Sequence, residues 1–363
     1  MTRVDVAVIG AGPAGSAAGI ALARAGYDVV VIDRQHTCIE RIGEILPPSI
    51  RQPLGALGVW DAFLCAAPLP SVSACSLWGT DTIARRDFLF NPYGNGWHVD
   101  RQHFDCMLRN AAEQAGARLV LGAAFLHADR HPDGAWQLAL ASRAGNSSLA
   151  ARFVIDASGR SRSFVRQRGA GQLRLDTMVA CYAYLRTRPD AIVETIIEAH
   201  PDGWWYSAPL PGGRSVVSFL TDASSVASCR GEALAARIPG AIATQLAAVP
   251  ADTRFRNVAA DSARLRVFAA EGWIAAGDAA ATHDPLAAQG IDRALRSGMR
   301  AAEAAALTLQ GRSGSLAAYA AVQQASFDAY VRTRRAFYAM EQRWGARPFW
   351  AQRGATTRPA AGP

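Results

Sequence analysis

A glycine-rich motif close to the N-terminus limits the fold of this chain more than any other feature. It reads GAGPAG over residues 10–15, follows an apolar run at residues 4–9 and opens an alanine-rich stretch. A second apolar run at residues 28–32 leads to Asp33, 18 residues after Gly15. The pattern predicts a strand, a tight turn, a helix and a second strand, in which the glycines let a pyrophosphate approach the backbone and the acid accepts hydrogen bonds from a ribose. We therefore predict an α/β fold with a Rossmann-like dinucleotide site that includes Gly10, Gly12, Pro13, Ala14, Gly15 and Asp33.

A segment near residue 280 predicts a second contact with the same ligand. A short apolar run at residues 273–276 ends in Gly277-Asp278, and a helical pattern begins near Gly290 after a loop. The Asp278 carboxylate can accept hydrogen bonds from polyol hydroxyls. Backbone amides at the start of the helix provide a positive potential for a ring that gains an electron pair, which suits a flavin. These amides belong to Gln289, Gly290 and Ile291.

The composition excludes several chemistries. All 38 Lys+Arg residues are arginine, so no side-chain amine is present for a Schiff base or a P-loop. The six cysteines stand singly, without C-x-x-C or zinc-finger spacing, so we expect no disulfide framework, no metal site and a cytoplasmic location. The uncharged run at residues 6–23 contains glycines and a proline, which favours a buried strand and helix over a membrane span. The net charge of +8 comes without a nucleic-acid-binding motif, and we predict no nucleic-acid partner.

The remaining chain divides into helical and strand-like patterns. Residues 103–116 have helical spacing and precede a strand-like run at 119–126, whereas residues 72–99 and 177–221 alternate as β strands do. We predict a discontinuous FAD-type nucleotide-binding domain interleaved with an antiparallel-sheet substrate domain and followed by a C-terminal helical segment. The boundaries are 1–70, 100–172 and 258–312 for the first domain, 71–99 and 173–257 for the second, 313–351 for the helical segment and 352–363 for a flexible tail.

Four sequence blocks resemble the FAD-dependent monooxygenases of the aromatic hydroxylase and tryptophan-halogenase superfamily. They are GAGPAG at 10–15, DRQHFD at 100–105, DASGRSR at 156–162 and GD…DPLAAQG at 277–290. The resemblance implies that FAD is the cofactor, with its pyrophosphate at the glycines, its ribose at Asp33 and its ribityl chain at Asp278. It also implies that Arg101 lies along the cofactor, residues 285–291 by the isoalloxazine and Ala124 near the adenine. The implied set of FAD-binding residues further includes Arg34, Arg41, Gly277, Pro285, Gln289, Gly290 and Ile291.

The subgroup is narrowed by a departure from the halogenases. Residues 41–48 resemble the strap that crosses the flavin in tryptophan halogenases, and residues 203–209 resemble a degraded form of their W-x-W-x-I-P box. Halogenation in that family depends on a lysine, which this chain lacks. The chain more closely resembles LodB-like flavoproteins, on the strap, the run FNPYGNGWHVDR at 90–101 and the ending at 341–350. That resemblance implies oxygenation of a tryptophan in a partner protein that carries a tryptophylquinone cofactor.

Aromatic residues of the predicted sheet domain and its surroundings would supply the substrate pocket. Among the polar residues, Glu44 and His283 are the candidate catalytic groups, because the family resemblance places both segments beside the flavin ring. A structural role is an open alternative for each: His283 can cap the following loop, and Glu44 can pair with Arg41 or Arg101. The predicted pocket residues are Trp78, Phe90, Trp97, Trp204, Trp205 and Tyr206.

The C-terminal region carries a large share of the positive charge. Residues 326–363 hold seven arginines against two acidic residues. An aromatic stripe along this region predicts a helix packed on the body of the protein; its members are Phe327, Tyr330, Phe337, Met340 and Trp344. The opposite face, with Arg332, Arg334 and Arg335, predicts a docking site for a partner protein or peptide. A solvated helix face without a partner is the alternative.

These features together predict an FAD-dependent monooxygenase that hydroxylates an indole or another aromatic ring. The expected substrate is a tryptophan side chain of a partner protein, and the expected electron donor is NAD(P)H or a reductase. Two alternatives stay open: a flavin-dependent reductase or dehydrogenase of a lipid or small metabolite, and a flavin-binding assembly factor for a partner oxidase. Incorporation of an oxygen atom from O₂ would separate the monooxygenase from the reductase. An assembly factor would support maturation of its partner even when the flavin cannot be reduced.

Overall fold

The structure, a computed structural model, describes residues 3–191, 194–229 and 231–354 and divides the chain into two compact units. The first unit comprises residues 1–69, 91–175 and 262–327, and the second comprises residues 70–90, 176–261 and 328–363, within the described part of each. This division assigns 91–99 and 313–327 to the first unit, where the predicted boundaries had assigned them to the sheet domain and the helical segment. Of the predicted tail, residues 352–354 end a helix and residues 355–363 lie outside the described residues.

Strands are grouped in several consecutive runs along the described chain, with helices between the runs. The strands are β1 (Arg3–Ile9), β2 (Val29–Asp33), β3 (Ile45–Leu46), β4 (Leu69–Ser71), β5 (Ser73–Leu77), β6 (Ala84–Asp87), β7 (Gly96–His98), β8 (Arg118–Leu121), β9 (Ala123–Arg130), β10 (Trp136–Ser142), β11 (Gly145–Asp156), β12 (Gln172–Arg174), β13 (Met178–Arg186), β14 (Thr195–His200), β15 (Gly203–Leu210), β16 (Arg214–Asp222), β17 (Arg256–Ala259), β18 (Ala263–Leu265), β19 (Ala269–Ala270), β20 (Trp273–Ala275) and β21 (Ala281–Thr282). The helices are α1 (Pro13–Arg24), α2 (Arg51–Ala56), α3 (Trp60–Cys65), α4 (Arg101–Gln114), α5 (Gly231–Ala235), α6 (Gly240–Ala243), α7 (Gly290–Leu309), α8 (Ser315–Ala339) and α9 (Pro348–Gly354).

The first unit is built on a parallel sheet in the order β20-β11-β1-β2-β8, with β19 antiparallel at the β20 edge. Runs of β-branched residues explain why these strands lie in the centre of the unit, since β2 reads VVVID and is buried along its whole length. β9 and β10 extend the sheet as an antiparallel ribbon next to β11. The βαβ opening predicted from the glycine motif is therefore present.

Small residues let α1 and α7 approach each other closely above this sheet. A methyl group added at Gly298 of α7 would lie 2.2 Å from the carbonyl oxygen of Ala14 in α1. Only a residue without a side chain fits at such a distance. The contact brings the start of α7 and the preceding loop next to the glycine motif.

The second unit contains a seven-stranded sheet in the order β17-β13-β16-β15-β14-β5-β6. Every pair is antiparallel except β14 with β5, which run parallel. The predicted α/β class, with a Rossmann-like unit, an antiparallel sheet and C-terminal helices, is confirmed. β5 and β6 come from a stretch of chain that is separate in sequence from the other strands of this sheet.

The predicted aromatic stripe of the C-terminal helix is wrong in its second half. Phe327 and Tyr330 are buried, but Phe337 is 46% exposed and Met340 57% exposed, and α8 ends at Ala339. The buried face continues instead through Arg334 and Tyr338. Phe337, seven residues after Tyr330, has the helical spacing of the stripe and is exposed all the same, so spacing does not locate this part of the buried face. That face follows the residues on which the helix packs, since Arg334 pairs with Asp176 and the ring of Tyr338 lies 5.7 Å from that of Trp350.

Burial of Arg334 also corrects the predicted docking face. Its guanidinium lies 2.7 Å from the Asp176 carboxylate, and both side chains are less than a tenth exposed. Arg334 is therefore a structural ion-pair partner, whereas Arg332 and Arg335 are exposed.

A disulfide corrects the prediction made from the cysteine spacing. Cys38, in the loop after β2, is bonded to Cys106 of α4, with their Cα atoms 5.8 Å apart. The two residues are 68 positions apart, so local cysteine spacing cannot predict the pair. Among the described helices, none combines the length and apolar character needed to cross a membrane.

Candidate functional site

The glycine motif forms a turn in which each glycine meets a different constraint. Gly10 has φ +105°, and a methyl group there would lie 2.4 Å from the Ala157 carbonyl oxygen. At Gly15 the same methyl group would lie 1.8 Å from the carbonyl oxygen of Gly10. At Gly12 no described atom lies within 4 Å of that position. Gly10 and Gly15 are thus required by packing, while Gly12 keeps open space at the start of α1, where Pro13 occupies the first helical turn.

Asp33 ends β2 beside this turn. One of its carboxylate oxygens accepts a hydrogen bond from the backbone N–H of Ala11 at 2.7 Å, and the other accepts from the N–H of Gln35 at 2.8 Å. A guanidinium nitrogen of Arg109 lies 3.3 Å from the carboxylate. These contacts fix the carboxylate at the edge of the turn, where it can accept hydrogen bonds from ribose hydroxyls. Arg34 is exposed, and Ala124 lies half-buried on β9 opposite Ala141 of β10.

The start of α4 connects the turn to the strap at residues 41–48. Asp100 caps the helix by accepting from the N–H groups of Gln102 and His103. Arg101 donates to the Asp105 carboxylate at 3.1 Å and to the carbonyl oxygen of Ile42 at 3.1 Å. A helix that is fixed at its first turn holds these donors in place.

Three arginines and two aspartates therefore share this region. Arg109 donates to the carbonyl oxygen of Ala11 at 3.1 Å, one residue before Gly12. Burial lowers the pKa of Arg41, and the charges of Arg101 and Arg109 lower it further, against the opposing effects of Asp105 and Asp33. Guanidinium groups at the edge of the glycine turn are suitable hydrogen-bond donors for a phosphate-bearing ligand.

Asp278 stands in a short turn after β20. The N–H of Gly277 donates to the Ser297 hydroxyl at 2.8 Å, and a methyl group at Gly277 would lie 2.7 Å from the Ala14 side chain. This packing places the turn against the start of α1. The Asp278 carboxylate is 45% exposed and lies 3.8 Å from the Arg160 guanidinium. It is thus open to a ligand hydroxyl on the side of the glycine turn.

A cavity of about 290 Å³ opens next to Asp278 within the first unit. Its lining includes the predicted residues Gly277, Asp278, His283, Gln289 and Gly290. Other lining residues were missed in the sequence, namely Ser49, Arg293, Arg296, Arg300, Gln323, Ser326 and Phe327. The spacing of the three arginines on α7, three and then four residues apart, is the signal that could have found them.

His283 contributes a neutral imidazole to this cavity. Burial lowers its pKa to about 3, and the charges of Arg293 and Arg160 act in the same direction. Its ring lies 5.8 Å from the ring of Phe327. The following residues turn sharply, because Asp284 accepts from the N–H of Leu286 at 3.0 Å around Pro285. Ile291, at the start of α7, is buried.

Glu44 lies in the strap and is not among the residues that line the cavity. Its side chain is buried and accepts from the N–H of Gly43 at 2.7 Å. The adjacent β3 pairs with β7, Ile45 opposite His98. Burial lowers the pKa of His98 to about 4.

The structure does not bring the six predicted pocket residues into one group. Trp97 belongs to the first unit and packs edge-on against Trp60 and Phe63. In the second unit, Trp78 and Tyr206 both contact Trp204, at ring distances of 6.2 and 6.1 Å.

The other two residues lie apart from this aromatic group. Trp205, the next residue on β15, points to the opposite face and packs at 4.9 Å against Phe219. Phe90 is 93% exposed.

The described residues fit FAD. The open position at Gly12, the first turn of α1 and the arginines around it match a pyrophosphate. The Asp33 carboxylate, which is fixed at the turn, and the partly exposed Asp278 carboxylate match the hydroxyls of a ribose and of a ribityl chain.

Comparisons with known proteins agree with this fit. The chain matches the family model described as FAD binding domain over residues 3–336. The protein LodB of Marinomonas mediterranea, described as an FAD-dependent oxidoreductase, is 25% identical over 98% of each chain. The menaquinone reductase of Mycobacterium tuberculosis H37Rv is 31% identical over 82% of this chain and 76% of the reductase.

Solved structures share the fold. The flavin-dependent halogenase CmlS matches with a TM-score of 0.85 at 26% identity, over 99% of this chain and 68% of CmlS. The peptidyl tryptophan dihydroxylase QhpG matches with a TM-score of 0.81 at 24% identity, over 98% of this chain and 79% of QhpG. Together with the family match over most of the chain, the FAD-shaped site means that this protein belongs to the FAD binding domain family and is an FAD-dependent oxidoreductase.

Proposed function

We propose that this protein is a monooxygenase that uses FAD to hydroxylate an aromatic ring, and that the ring is the indole of a tryptophan in a partner protein during maturation of a quinone cofactor. The observation that carries the proposal is a glycine turn that leaves room for FAD at Gly12, in a chain that contains no lysine. Halogenation requires a lysine in the families this chain resembles, so ring hydroxylation is the reaction that the residues support. The fold that the chain shares with QhpG, a peptidyl tryptophan dihydroxylase essential for tryptophylquinone cofactor biogenesis, supports the choice of substrate class.

The chain's own residues would position the cofactor and the substrate. Arg101, Arg109 and the start of α1 would hold the pyrophosphate, and Asp278 would hold the ribityl hydroxyls. Bound FAD supplies electron transfer and the activation of O₂. The protein must then keep the substrate ring close and exclude water.

His283 is the polar group that we assign to the substrate side of the cavity. Because its pKa is lowered to about 3, the imidazole stays neutral at physiological pH and can accept a hydrogen bond at one ring nitrogen. An indole N–H is a suitable donor. The variant His283→Ala is expected to retain FAD and to slow turnover about 10²-fold, the lower end of what a positioned polar group contributes. Flavin absorbance and steady-state rates measure the two effects; loss of FAD would contradict the assignment.

Incorporation of labelled oxygen tests the proposed reaction. The holoenzyme would receive NADH, or a flavin reductase with NADH, and the unmodified precursor of a tryptophylquinone oxidase under ¹⁸O₂. Peptide mass spectrometry is expected to show ¹⁸O on a tryptophan. A precursor that stays unmodified while NADH is consumed, or modification that proceeds without O₂, would overturn the proposal.

A quinone or lipid reductase is the second candidate function, favoured by the 31% identity to menaquinone reductase. This function needs no O₂. Menaquinone mixed anaerobically with the reduced holoenzyme would then reoxidise the flavin as fast as the enzyme turns over. Under ¹⁸O₂, no labelled oxygen would enter the product. Slow anaerobic reoxidation by menaquinone would remove this candidate.

A further inference from the structure

The Cys38–Cys106 disulfide joins the loop after β2 to α4, two of the segments that border the FAD cradle. Cys38 lies between Asp33 and Arg41, and Cys106 follows Asp105 on α4. We propose that this cysteine pair is a reversible redox site whose oxidation state sets how tightly the protein holds FAD. The proposal rests on FAD binding and not on the proposed hydroxylation, so the two can fail separately.

The segment that contains Cys38 has no regular secondary structure to hold it in place. Residues 34–44, between the end of β2 and the start of β3, form neither strand nor helix. Arg101 reaches the far end of this segment through the carbonyl oxygen of Ile42 at 3.1 Å. Arg109 reaches its near end only weakly, at 3.5 Å from the carbonyl oxygen of Gln35. Arg101 also donates to the carbonyl oxygen of Gly43 at 3.4 Å. The disulfide is the covalent connection between α4 and this segment, and along the chain Cys38 lies between Gln35 and Ile42.

Reduction would therefore loosen the groups that meet the cofactor. α4 carries Arg109, which contacts both Asp33 and the carbonyl oxygen of Ala11, and Arg101, which contacts the strap. With the disulfide open, residues 34–44 regain conformational freedom, and binding FAD must order them again. An ordering cost of this kind weakens binding.

The chemistry at the pair is a thiol–disulfide exchange. Cys106 is half-buried and Cys38 is 6% exposed, so the sulfur of Cys106 is the accessible one for an incoming thiolate. A dithiol, either a small molecule or a dithiol protein, attacks Cys106 and forms a mixed disulfide, and Cys38 leaves as a thiolate. The second thiol of the reductant then releases Cys106. In sum the pair gains two electrons and two protons, and the reductant becomes a disulfide.

The experiment compares FAD affinity in the two oxidation states. Apoprotein would be prepared oxidised, or reduced with dithiothreitol and desalted under argon, and alkylation with mass spectrometry would verify the state of Cys38 and Cys106. Titration by flavin fluorescence quenching is expected to give a dissociation constant about tenfold higher for the reduced protein, within the usual range of coupling between two sites. Cys38→Ser should show the weaker affinity under both conditions. Cys65→Ser, at an exposed free cysteine, should behave as the wild type.

A second measurement uses the reciprocity of coupling and needs no variant. If oxidation tightens FAD binding, bound FAD must make the disulfide harder to reduce by the same factor. The fraction of disulfide in graded dithiothreitol buffers, with and without FAD, is expected to shift about tenfold in the reduced-to-oxidised ratio. Equal FAD affinity in the two verified states, or a reduction curve that FAD does not move, would overturn the proposal.

Discussion

At the residue scale, the three glycines of the motif have different roles, although they are the same residue type in one short motif. A methyl group added at Gly10 or Gly15 would lie 2.4 or 1.8 Å from a neighbouring carbonyl oxygen, whereas one added at Gly12 would meet open space. The first two therefore serve the fold, and the third serves the ligand. Sequence reasoning could predict all three, because the motif is local and its spacing reflects one turn.

This difference predicts opposite outcomes for two substitutions. Gly12→Val is expected to fold, because its side chain has room in the free protein, but to lose FAD by filling the space of the pyrophosphate. Its FAD dissociation constant should rise by at least about tenfold, or about 1.4 kcal/mol. Gly15→Ala is expected to lose several kcal/mol of stability through overpacking. The flavin-to-protein absorbance ratio and the melting temperature separate the two; a Gly12→Val protein with full flavin would contradict this placement of the cofactor.

Because two histidines are buried, we predict that the free energy of unfolding decreases at acidic pH. Burial lowers the pKa of His98 to about 4 and that of His283 to about 3, from an ordinary value near 6.5. Below pH 6.5 the unfolded chain binds protons at these positions that the folded protein does not, so the free energy of unfolding falls as the pH falls from about 6.5 towards 4.

Substitution of one histidine measures its share of this slope. In His98→Gln, the dependence of the unfolding free energy on pH between 6 and 5 should be weaker by up to about 1.4 kcal/mol per pH unit. His36→Gln, at an exposed position, should leave the slope unchanged. Urea unfolding at a series of pH values measures the slopes. An unchanged slope in His98→Gln would show that this histidine titrates normally in the folded protein.

At the scale of the element, local sequence patterns predicted where helices and strands form. Long-range contacts determine which of their faces are buried. The period of α8 and its start could be predicted, but the partner of Arg334 could not, because Asp176 lies 158 residues away. The disulfide of α4 escaped prediction for the same reason. The divided placement of the aromatic residues depends on which sheet face each occupies, and a strand with both faces buried, such as β15, has no polar alternation to show it.

The buried face of α8 predicts a large difference between two neighbouring arginines. Arg334→Ala removes one partner of a buried ion pair with Asp176 and is expected to lower the free energy of unfolding by about 3–5 kcal/mol. Arg332→Ala, at an exposed position of the same helix, should change it by less than about 0.5 kcal/mol. Denaturant unfolding of both variants measures the difference. Similar small effects would mean that the ion pair contributes nothing in solution.

At the scale of the whole molecule, the composition restricts the chemistry while the fold leaves it open. Proteins with this fold include a halogenase and a dihydroxylase, so architecture does not choose between their reactions. The absence of lysine, which is seen in the sequence alone, is the feature on which our proposal of hydroxylation rests. Substrate recognition is the part that neither fixes, since it depends on a surface and its partner.

The net charge of +8 makes that recognition testable through salt. If exposed Arg332 and Arg335 steer an acidic partner protein, kcat/KM for that partner should fall roughly tenfold as ionic strength rises from low to high, because salt screens exposed charges. Substitution of both arginines by glutamine should lower kcat/KM at low salt and flatten this dependence. The matched control, Arg143→Gln with Arg312→Gln, removes the same charge at exposed positions of the first unit and should leave the dependence steep. If kcat/KM depends equally steeply on ionic strength in both double variants, the attraction comes from the total charge of the protein. The partner would then dock on another face.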